Sequence, residues 1–175
     1  MVGQLAMNPP RFLAALAPGL LAFLAVLFVN LPVSFTGGVF PAPLLALIPI
    51  YYWATLRPDL MPPIAVLIVG VTEDLVSGGP PGIWAVGFLA AYALAERQRE
   101  VLASLSGWAV TIGFAAAVFM ASAAAYLLTS ILFWRLVPLA PLLAQAVITV
   151  VFYPLAAPFL DWVHRRLIGP LRGDD

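Results

Sequence analysis

Two adjacent acidic residues, Glu73 and Asp74, lie near the end of a long apolar stretch and are the first candidates for chemistry in this chain. An ionisable side chain inside an apolar span is costly to place, so it suggests a functional role. On a helix the two side chains point about 100° apart, which argues against a paired acid–base site. Three interpretations stay open for Asp74: it accepts hydrogen bonds from the following turn, it contacts a partner, or it belongs to a proton or ion relay.

The segment that follows Asp74 is rich in small residues, namely Ser77, Gly78, Gly79 and Gly82. Where a helix stops at such a turn, backbone N–H groups are left without helical partners. We therefore expect Asp74 to organise the turn by accepting hydrogen bonds from it. Because the turn carries no bulky side chains, it is also a candidate surface for a partner.

The only histidine, His164, stands beside Arg165 and Arg166, and the chain has no cysteine. Metal sites and catalytic triads need several suitable side chains that converge on one point. We therefore interpret His164 as a side chain at a membrane interface. The sequence predicts no metal, no cofactor and no enzymatic activity.

The composition indicates which elements hold these residues. Hydrophobic residues make up 63% of the chain and charged residues 9%, whereas ordinary soluble domains are about half apolar and about a quarter charged. So few charges do not cover the exterior of a soluble protein, so the remaining exterior must face lipid. We expect an all-α integral membrane protein. Eight basic residues balance eight acidic ones, which argues against nucleic-acid binding, since that requires a net basic face.

A membrane-spanning helix needs roughly 20 apolar residues. Charges and Gly/Pro clusters divide the chain into six such segments, which are 12–31, 39–56, 60–77, 83–95, 105–133 and 136–160, followed by a short cytoplasmic tail at 161–175. The long fifth segment has to tilt or protrude. The sequence thus predicts a single membrane domain, a six-span helical bundle. Prolines should kink or interrupt its spans; they include Pro49, Pro62, Pro63, Pro141, Pro154 and Pro158.

The arginines predict the orientation of the bundle, because positive residues near span ends stay on the cytoplasmic side. With both termini in the cytoplasm, only Arg135 lies outside. The other arginines then lie inside and determine the topology: Arg11, Arg57, Arg97, Arg99, Arg165, Arg166 and Arg172. The arginine pairs near positions 98 and 165 are also suited to contacts with lipid headgroups.

Four small residues recur at every fourth position of the fifth span: Gly113, Ala117, Ala121 and Ala125. A stripe of this kind lets another helix backbone approach closely in a membrane. The partner helix is either part of the same bundle or belongs to another subunit, which leaves a homodimer as an alternative. Internal packing is favoured, because a six-span bundle needs such faces itself.

Residues 70–82 read Gly-Val-Thr-Glu-Asp-Leu-Val-Ser-Gly-Gly-Pro-Pro-Gly and resemble the third-span signature of the rod-shape-determining protein MreD family. That signature has a glycine, then Asp-Leu, then a small-residue turn that closes on another glycine. Tyr52-Trp53 followed by Arg57-Pro58 resembles the second-span exit of the family. The length, the six-span layout and the short loops match over essentially the whole chain, whereas Glu73 and Pro80-Pro81 depart from the pattern.

This resemblance implies a fold similar to the substrate-binding subunits of energy-coupling-factor transporters. It also implies a non-enzymatic scaffold of the cell-elongation (rod) complex in the bacterial inner membrane. Such a scaffold binds the bitopic protein MreC, and supports cell shape and lateral peptidoglycan synthesis together with MreB, RodA and a class B penicillin-binding protein. The alternative is a small-molecule, vitamin-type carrier subunit, which needs several polar groups around one pocket; the outer half offers Thr72, Glu73 and Asp74.

Overall fold

The computed structural model describes residues 11–31, 41–104 and 107–168, and these ranges contain helices, turns and loops but no strand. The prediction of an all-α fold is confirmed for this part of the chain. It contains α1 (Arg11–Val29), α2 (Leu47–Leu56), α3 (Pro63–Ser77), α4 (Ile83–Arg97), α5 (Arg99–Ser104), α6 (Trp108–Phe133) and α7 (Leu139–Val163). A 3-10 turn, Pro58–Leu60, precedes α3, and a π-helical turn, His164–Ile168, continues α7.

Proline and glycine set the boundaries of the central hairpin formed by α3 and α4. Pro63 occupies the first helical position of α3, where its missing N–H costs nothing. The helix ends at Gly78, whose φ of 71° is left-handed, and Gly82 precedes α4 with a φ of 103°. Both angles favour glycine, so the chain reverses within a few residues and brings the start of α4 back to the end of α3.

The second predicted span, 39–56, is wrong in its extent, because helix α2 covers only Leu47–Leu56. Ten residues rise about 15 Å, which is half of a hydrocarbon core of about 30 Å. Residues 41–44 are not helical, since Pro41 and Pro43 lack N–H groups and restrict the residues before them. The Leu44 N–H instead donates to Thr149 Oγ1 at 2.9 Å.

The other predicted segments are helical with shifted ends. Helices α1, α3 and α4 cover most of 12–31, 60–77 and 83–95, and α4 runs two residues further, to Arg97. The fifth segment, 105–133, is helical from Trp108 onward, and the loop before it contains the unexpected α5. The supposed tail that begins at 161 is helical through Ile168. Six crossings of a membrane stay a prediction.

Helix α4 lies between α3 and α6, and both contacts depend on glycine. A Cβ on Gly70 of α3 would lie 2.9 Å from the backbone nitrogen of Ala85 and closer still to its Cα. A Cβ on Gly87 of α4 would lie 3.1 Å from the carbonyl oxygen of Ala121 in α6. Backbones therefore pack directly against each other at these two positions, as is typical of tightly packed helices in membranes.

Helix α2 forms the core, and eight of its ten residues are buried. Its Tyr51 ring packs edge-on against Phe114 of α6 at 5.3 Å and against Tyr153 of α7 at 5.7 Å between ring centroids. Phe114 and Tyr153 are themselves stacked at 4.4 Å. Aromatic pairs in these arrangements contribute beyond the area they bury. The short α2 is therefore enclosed by longer helices and does not form an outer wall.

Two helices, α6 and α7 with its continuation, are long and apolar enough to cross a membrane. A buried core helix of a soluble protein passes the same test, but here only 28% and 17% of the most apolar windows of the two helices are buried. Large apolar side chains are exposed along both, including Ile112, Leu127 and Leu155. The outer surface of these two helices is thus apolar.

The described charged residues separate into two ends of the bundle. At the arginine end, Tyr52 of α2 donates to Asp161 of α7 at 3.4 Å, and the basic residues there are Arg57, Arg97, Arg99, Arg165 and Arg166. At the opposite end, which we call the Asp74 end, the last residues of α3 meet the first residues of α4 and the connection between α6 and α7. The arginine asymmetry along the sequence is therefore also an asymmetry in space.

Candidate functional site

Asp74 is the centre of the Asp74 end, and only 1% of its surface is exposed. Its Oδ2 accepts hydrogen bonds from the backbone N–H of Gly82 at 2.8 Å and of Ala85 at 3.2 Å. Its Oδ1 accepts one from the Trp84 N–H at 2.8 Å. The first N–H groups of a helix have no partners within it, and a carboxylate there is favoured by the helix dipole. Asp74 therefore holds the start of α4 against the end of α3.

As expected, the Gly82 N–H donates to Asp74, but the other donors lie further along the chain than expected. The Ser77 hydroxyl donates to the Asp74 carbonyl oxygen at 3.3 Å, while Gly78 and Gly79 lie exposed at the tip of the turn. The side chain of Asp74 is instead paired with the first turn of α4, because that is where helical N–H groups are free. A glycine followed by an apolar helix, placed shortly after an acid, is the sequence signal for such a pairing.

Glu73 is also buried, with 7% of its surface exposed, but it serves a different contact. Its Oε1 accepts a hydrogen bond from Nδ2 of Asn30, at the end of α1, over 3.3 Å. The same Nδ2 donates to the Val26 carbonyl at 3.0 Å. The two acids therefore fasten α3 to two different helices, in agreement with their angular separation. No arginine within the described ranges forms an ion pair with either of them.

A cavity of about 210 Å³ lies beside Asp74, between the α3–α4 turn and the α6–α7 connection. Its walls are mostly apolar, and its polar groups include the carboxylate of Asp74 and the hydroxyl of Thr129. The Thr129 hydroxyl donates to the Ala125 carbonyl at 2.7 Å, so its oxygen is left as an acceptor. The cavity and Thr129 were not predicted, because they depend on how α6 approaches α4. The cavity is lined by Asp74, Gly79, Pro80, Ile83, Trp84, Ala125, Tyr126, Thr129, Val137, Pro138 and Leu142.

The small-residue stripe of α6 faces the inside of the bundle. Ala117, Ala121 and Ala125 are each at most 3% exposed, and Gly113 is half-buried. The close approach of Gly87 to Ala121 identifies α4 as the helix that packs on the stripe. Of the two alternatives, the structure has internal packing at this stripe, and a homodimer stays a prediction.

Arg57 is paired with Asp59 at the turn between α2 and α3. Its Nε donates to Oδ1 at 3.0 Å and its Nη2 to Oδ2 at 2.9 Å. These hydrogen bonds hold the pKa of the Asp59 carboxyl below its ordinary value. The pair is exposed to solvent, so it orders this turn but adds little to stability.

The remaining arginines of this end lie near the ends of α4 and α7. Arg165 forms an ion pair with Asp161 one turn before it, and the guanidinium of Arg166 lies 5.9 Å from the ring centre of Trp162. Both arginines are exposed and are thus available to lipid headgroups or to solvent. Arg97 and Arg99 are exposed as well, Arg11 is the first residue of α1, and Arg172 lies outside the described residues.

His164 is buried, with only 7% of the residue exposed, and its position at a membrane interface stays a prediction. Helix α7 continues into the π-helical turn and directs this side chain inward, where its ring lies 6.3 Å from that of Tyr52. Neither ring nitrogen has a hydrogen-bond partner in the part of the chain that is described. Within the same ranges, no group of three or more His, Asp or Glu side chains could hold a metal ion.

Fold and site together define a helical bundle with two long apolar helices and a hairpin that an acidic side chain holds closed. No model of a protein family, no curated protein and no solved structure matches the chain. The resemblance to the MreD family therefore depends on the motif around Asp74 and on the layout of the apolar segments. Membership of that family, its transporter-like fold and its function stay predictions.

Proposed function

We propose that this chain is a multi-pass protein of a bacterial inner membrane with both termini in the cytoplasm. Exposed tryptophans stand at the two ends of α6, Trp108 and Trp134, with 79% and 92% of their surfaces accessible. The 26 residues of α6 span about 39 Å, close to the thickness of a bilayer with its interfaces. Tryptophan is enriched at those interfaces, and arginine on the cytoplasmic side. These observations support an orientation with the arginine end inside and the Asp74 end outside.

Within that membrane the chain acts as a non-enzymatic scaffold of the MreD type, which holds the bitopic protein MreC in the elongation complex. The observation that carries this proposal is the closed hairpin at Asp74. Three hydrogen bonds from α4 fix the turn, while Gly78 and Gly79 keep its tip free of bulky side chains. Helices in lipid associate through close packing and a few hydrogen bonds. A rigid, smooth turn is therefore a suitable surface for a partner helix as it leaves the bilayer.

The cavity at the same end gives less support to the alternative function, a small-molecule carrier. Pockets for small molecules usually enclose about 300 to 1,000 Å³, whereas this cavity has about 210 Å³. A carrier also needs several polar groups that converge on its ligand. Here Asp74 has already used its carboxylate for three bonds to α4.

The proposal is tested by co-purification of MreC from mild detergent with variants of this chain. A Cβ on Gly79 meets only the Ser77 hydroxyl, at 3.6 Å, so Gly79→Leu should fold and should block the contact. Ala93 is exposed on α4, and Ala93→Leu adds similar bulk away from the turn as a control. Loss of MreC from Gly79→Leu alone supports the proposal. Full recovery of MreC with Gly79→Leu excludes the turn, and absence of MreC from the unchanged protein overturns the scaffold function.

Variants at the turn test the contact with MreC more directly than variants at the small-residue stripe would. Ala121 is fully buried against Gly87, so Ala121→Leu would disturb the bundle itself. Loss of MreC from that variant would report on folding and not on an interface. Gly79 and Ala93, by contrast, are both exposed, so we expect a larger side chain at either position to leave the bundle intact.

A further inference from the structure

We propose that the cavity beside Asp74 receives one aromatic side chain that carries a hydrogen-bond donor, a tryptophan or a tyrosine, from the bitopic partner. This inference rests on the proposed scaffold function and specifies how the partner is recognised. Gly79 and Pro80 line the cavity on the side of the α3–α4 turn, and Val137, Pro138 and Leu142 line it on the side of the α6–α7 connection.

The size of the cavity favours a single side chain. A cavity of about 150 Å³ in a protein interior accommodates benzene, and small-molecule pockets begin at about 300 Å³. At about 210 Å³, this cavity lies between the two and matches one large aromatic group. A buried aromatic anchor surrounded by weaker contacts is also the usual way in which a protein interface concentrates its binding energy.

The Thr129 hydroxyl in the wall favours an occupant that donates a hydrogen bond. A carboxylate offers about four lone-pair positions, and Asp74 uses three of them for backbone N–H groups. The Thr129 hydroxyl has given its hydrogen to the Ala125 carbonyl, which leaves lone pairs on its oxygen. Thr129 therefore presents an acceptor to the cavity, whereas the Asp74 carboxylate is buried and occupied by α4. An indole N–H or a phenol O–H satisfies an acceptor in an apolar pocket, whereas a lipid acyl chain does not.

A first experiment tests the cavity without the partner. Binding of indole and of indene, which has the same shape but no N–H, is measured by equilibrium dialysis against the protein in lipid nanodiscs, with empty nanodiscs as the blank. We expect indole to bind about tenfold more tightly, as one hydrogen bond to a buried acceptor allows. Thr129→Val should reduce this ratio. Thr72→Val is the matched control, because Thr72 makes the same bond to a carbonyl four residues earlier, at 2.8 Å, but does not line the cavity.

Equal binding of indole and indene, or no binding of either, overturns the proposal. A phospholipid that remains with the purified protein in native mass spectrometry, and that is lost when the cavity is filled, overturns it as well, because an acyl chain would then be the occupant. Val137→Trp and Leu142→Trp both place a large side chain in the cavity. If one variant fails to fold, the other still tests whether filling the cavity displaces the occupant.

A second experiment connects the cavity to the partner. MreC is co-purified with the unchanged chain and with the two cavity-filling variants, and we expect at least a tenfold loss of MreC from those variants that still accumulate normally. If MreC is retained by both, the aromatic anchor is wrong while the scaffold function stands. If MreC never co-purifies with the unchanged chain, the scaffold function fails, and the comparison of indole with indene still decides the nature of the cavity.

Discussion

The Asp74 carboxylate accepts a hydrogen bond from the Trp84 backbone N–H at 2.8 Å, across ten residues of sequence. The bond joins the last turn of α3 to the first turn of α4, so a single side chain closes the hairpin at one end of the bundle. With the N–H groups of Gly82 and Ala85 on the same carboxylate, the turn between the helices is held from both sides. Its glycine-rich tip is therefore presented in a fixed position.

Substitutions of Asp74 should separate its shape from its charge. Asp74→Asn keeps one acceptor oxygen, whereas Asp74→Leu leaves three N–H groups of α4 without a partner. Each unpaired buried group costs about 1 to 3 kcal/mol, so Asp74→Leu should lower the yield and the unfolding temperature far more than Asp74→Asn. Asp59→Asn, at an exposed acid, is the control. Equal and severe loss of function in both Asp74 variants at normal yield would indicate that the charge itself is required.

The close approach of α3 and α4 should make Gly70 intolerant of even one methyl group. A Cβ there overlaps the backbone of Ala85, and overpacking of this kind costs about 1 to 3 kcal/mol. We expect Gly70→Ala to lower the unfolding temperature in detergent. Gly79→Ala, whose new Cβ would meet only the Ser77 hydroxyl at 3.6 Å, should be nearly neutral. If the two variants unfold at the same temperature, the backbones of α3 and α4 do not touch at Gly70.

The Arg57–Asp59 pair predicts a weak dependence of stability on pH in the acid range. The pKa of Asp59 is lowered in the folded protein, so the pair stabilises fully above the ordinary carboxyl pKa of about 4 and is lost as the pH falls through the lower folded value. Asp59→Asn should reduce the loss of stability between about pH 5 and pH 3. The difference should be small, because the pair is exposed. If the loss of stability at acid pH is the same in Asp59→Asn, the pair does not contribute to it.

Much of the helical framework was predictable from the sequence, because proline or glycine stands where the apolar helices α3, α4, α6 and α7 begin and where α3 ends. The apolar run at 39–56 was misjudged for a physical reason. Lipid and a protein core favour the same side chains, so hydrophobicity alone did not show that α2 is short and enclosed. The short length of α2 follows from the prolines at 41 and 43 and from the hydrogen bond between the Leu44 N–H and Thr149.

The site was predictable in part. The importance of Asp74 and its contact with Gly82 follow from an acid placed before a small-residue turn. The contact between Glu73 and Asn30 joins residues 43 positions apart, and no local pattern indicates it. The cavity depends on three separate segments that meet only in the folded bundle. The burial of His164 was not predicted, because it results from the π-helical turn that continues α7.

We expect the bundle to lie in a membrane with the Asp74 turn outside and the arginine end inside. Cysteine labelling tests this orientation most directly. The chain has no cysteine of its own, so single substitutions at the exposed residues Gly79 and Gln98 report on the two ends without background. A maleimide that does not cross membranes is applied to intact spheroplasts and to permeabilised ones. We expect Gly79→Cys to be labelled in both preparations and Gln98→Cys only after permeabilisation. The opposite pattern, or equal labelling of both positions in intact spheroplasts, would contradict it.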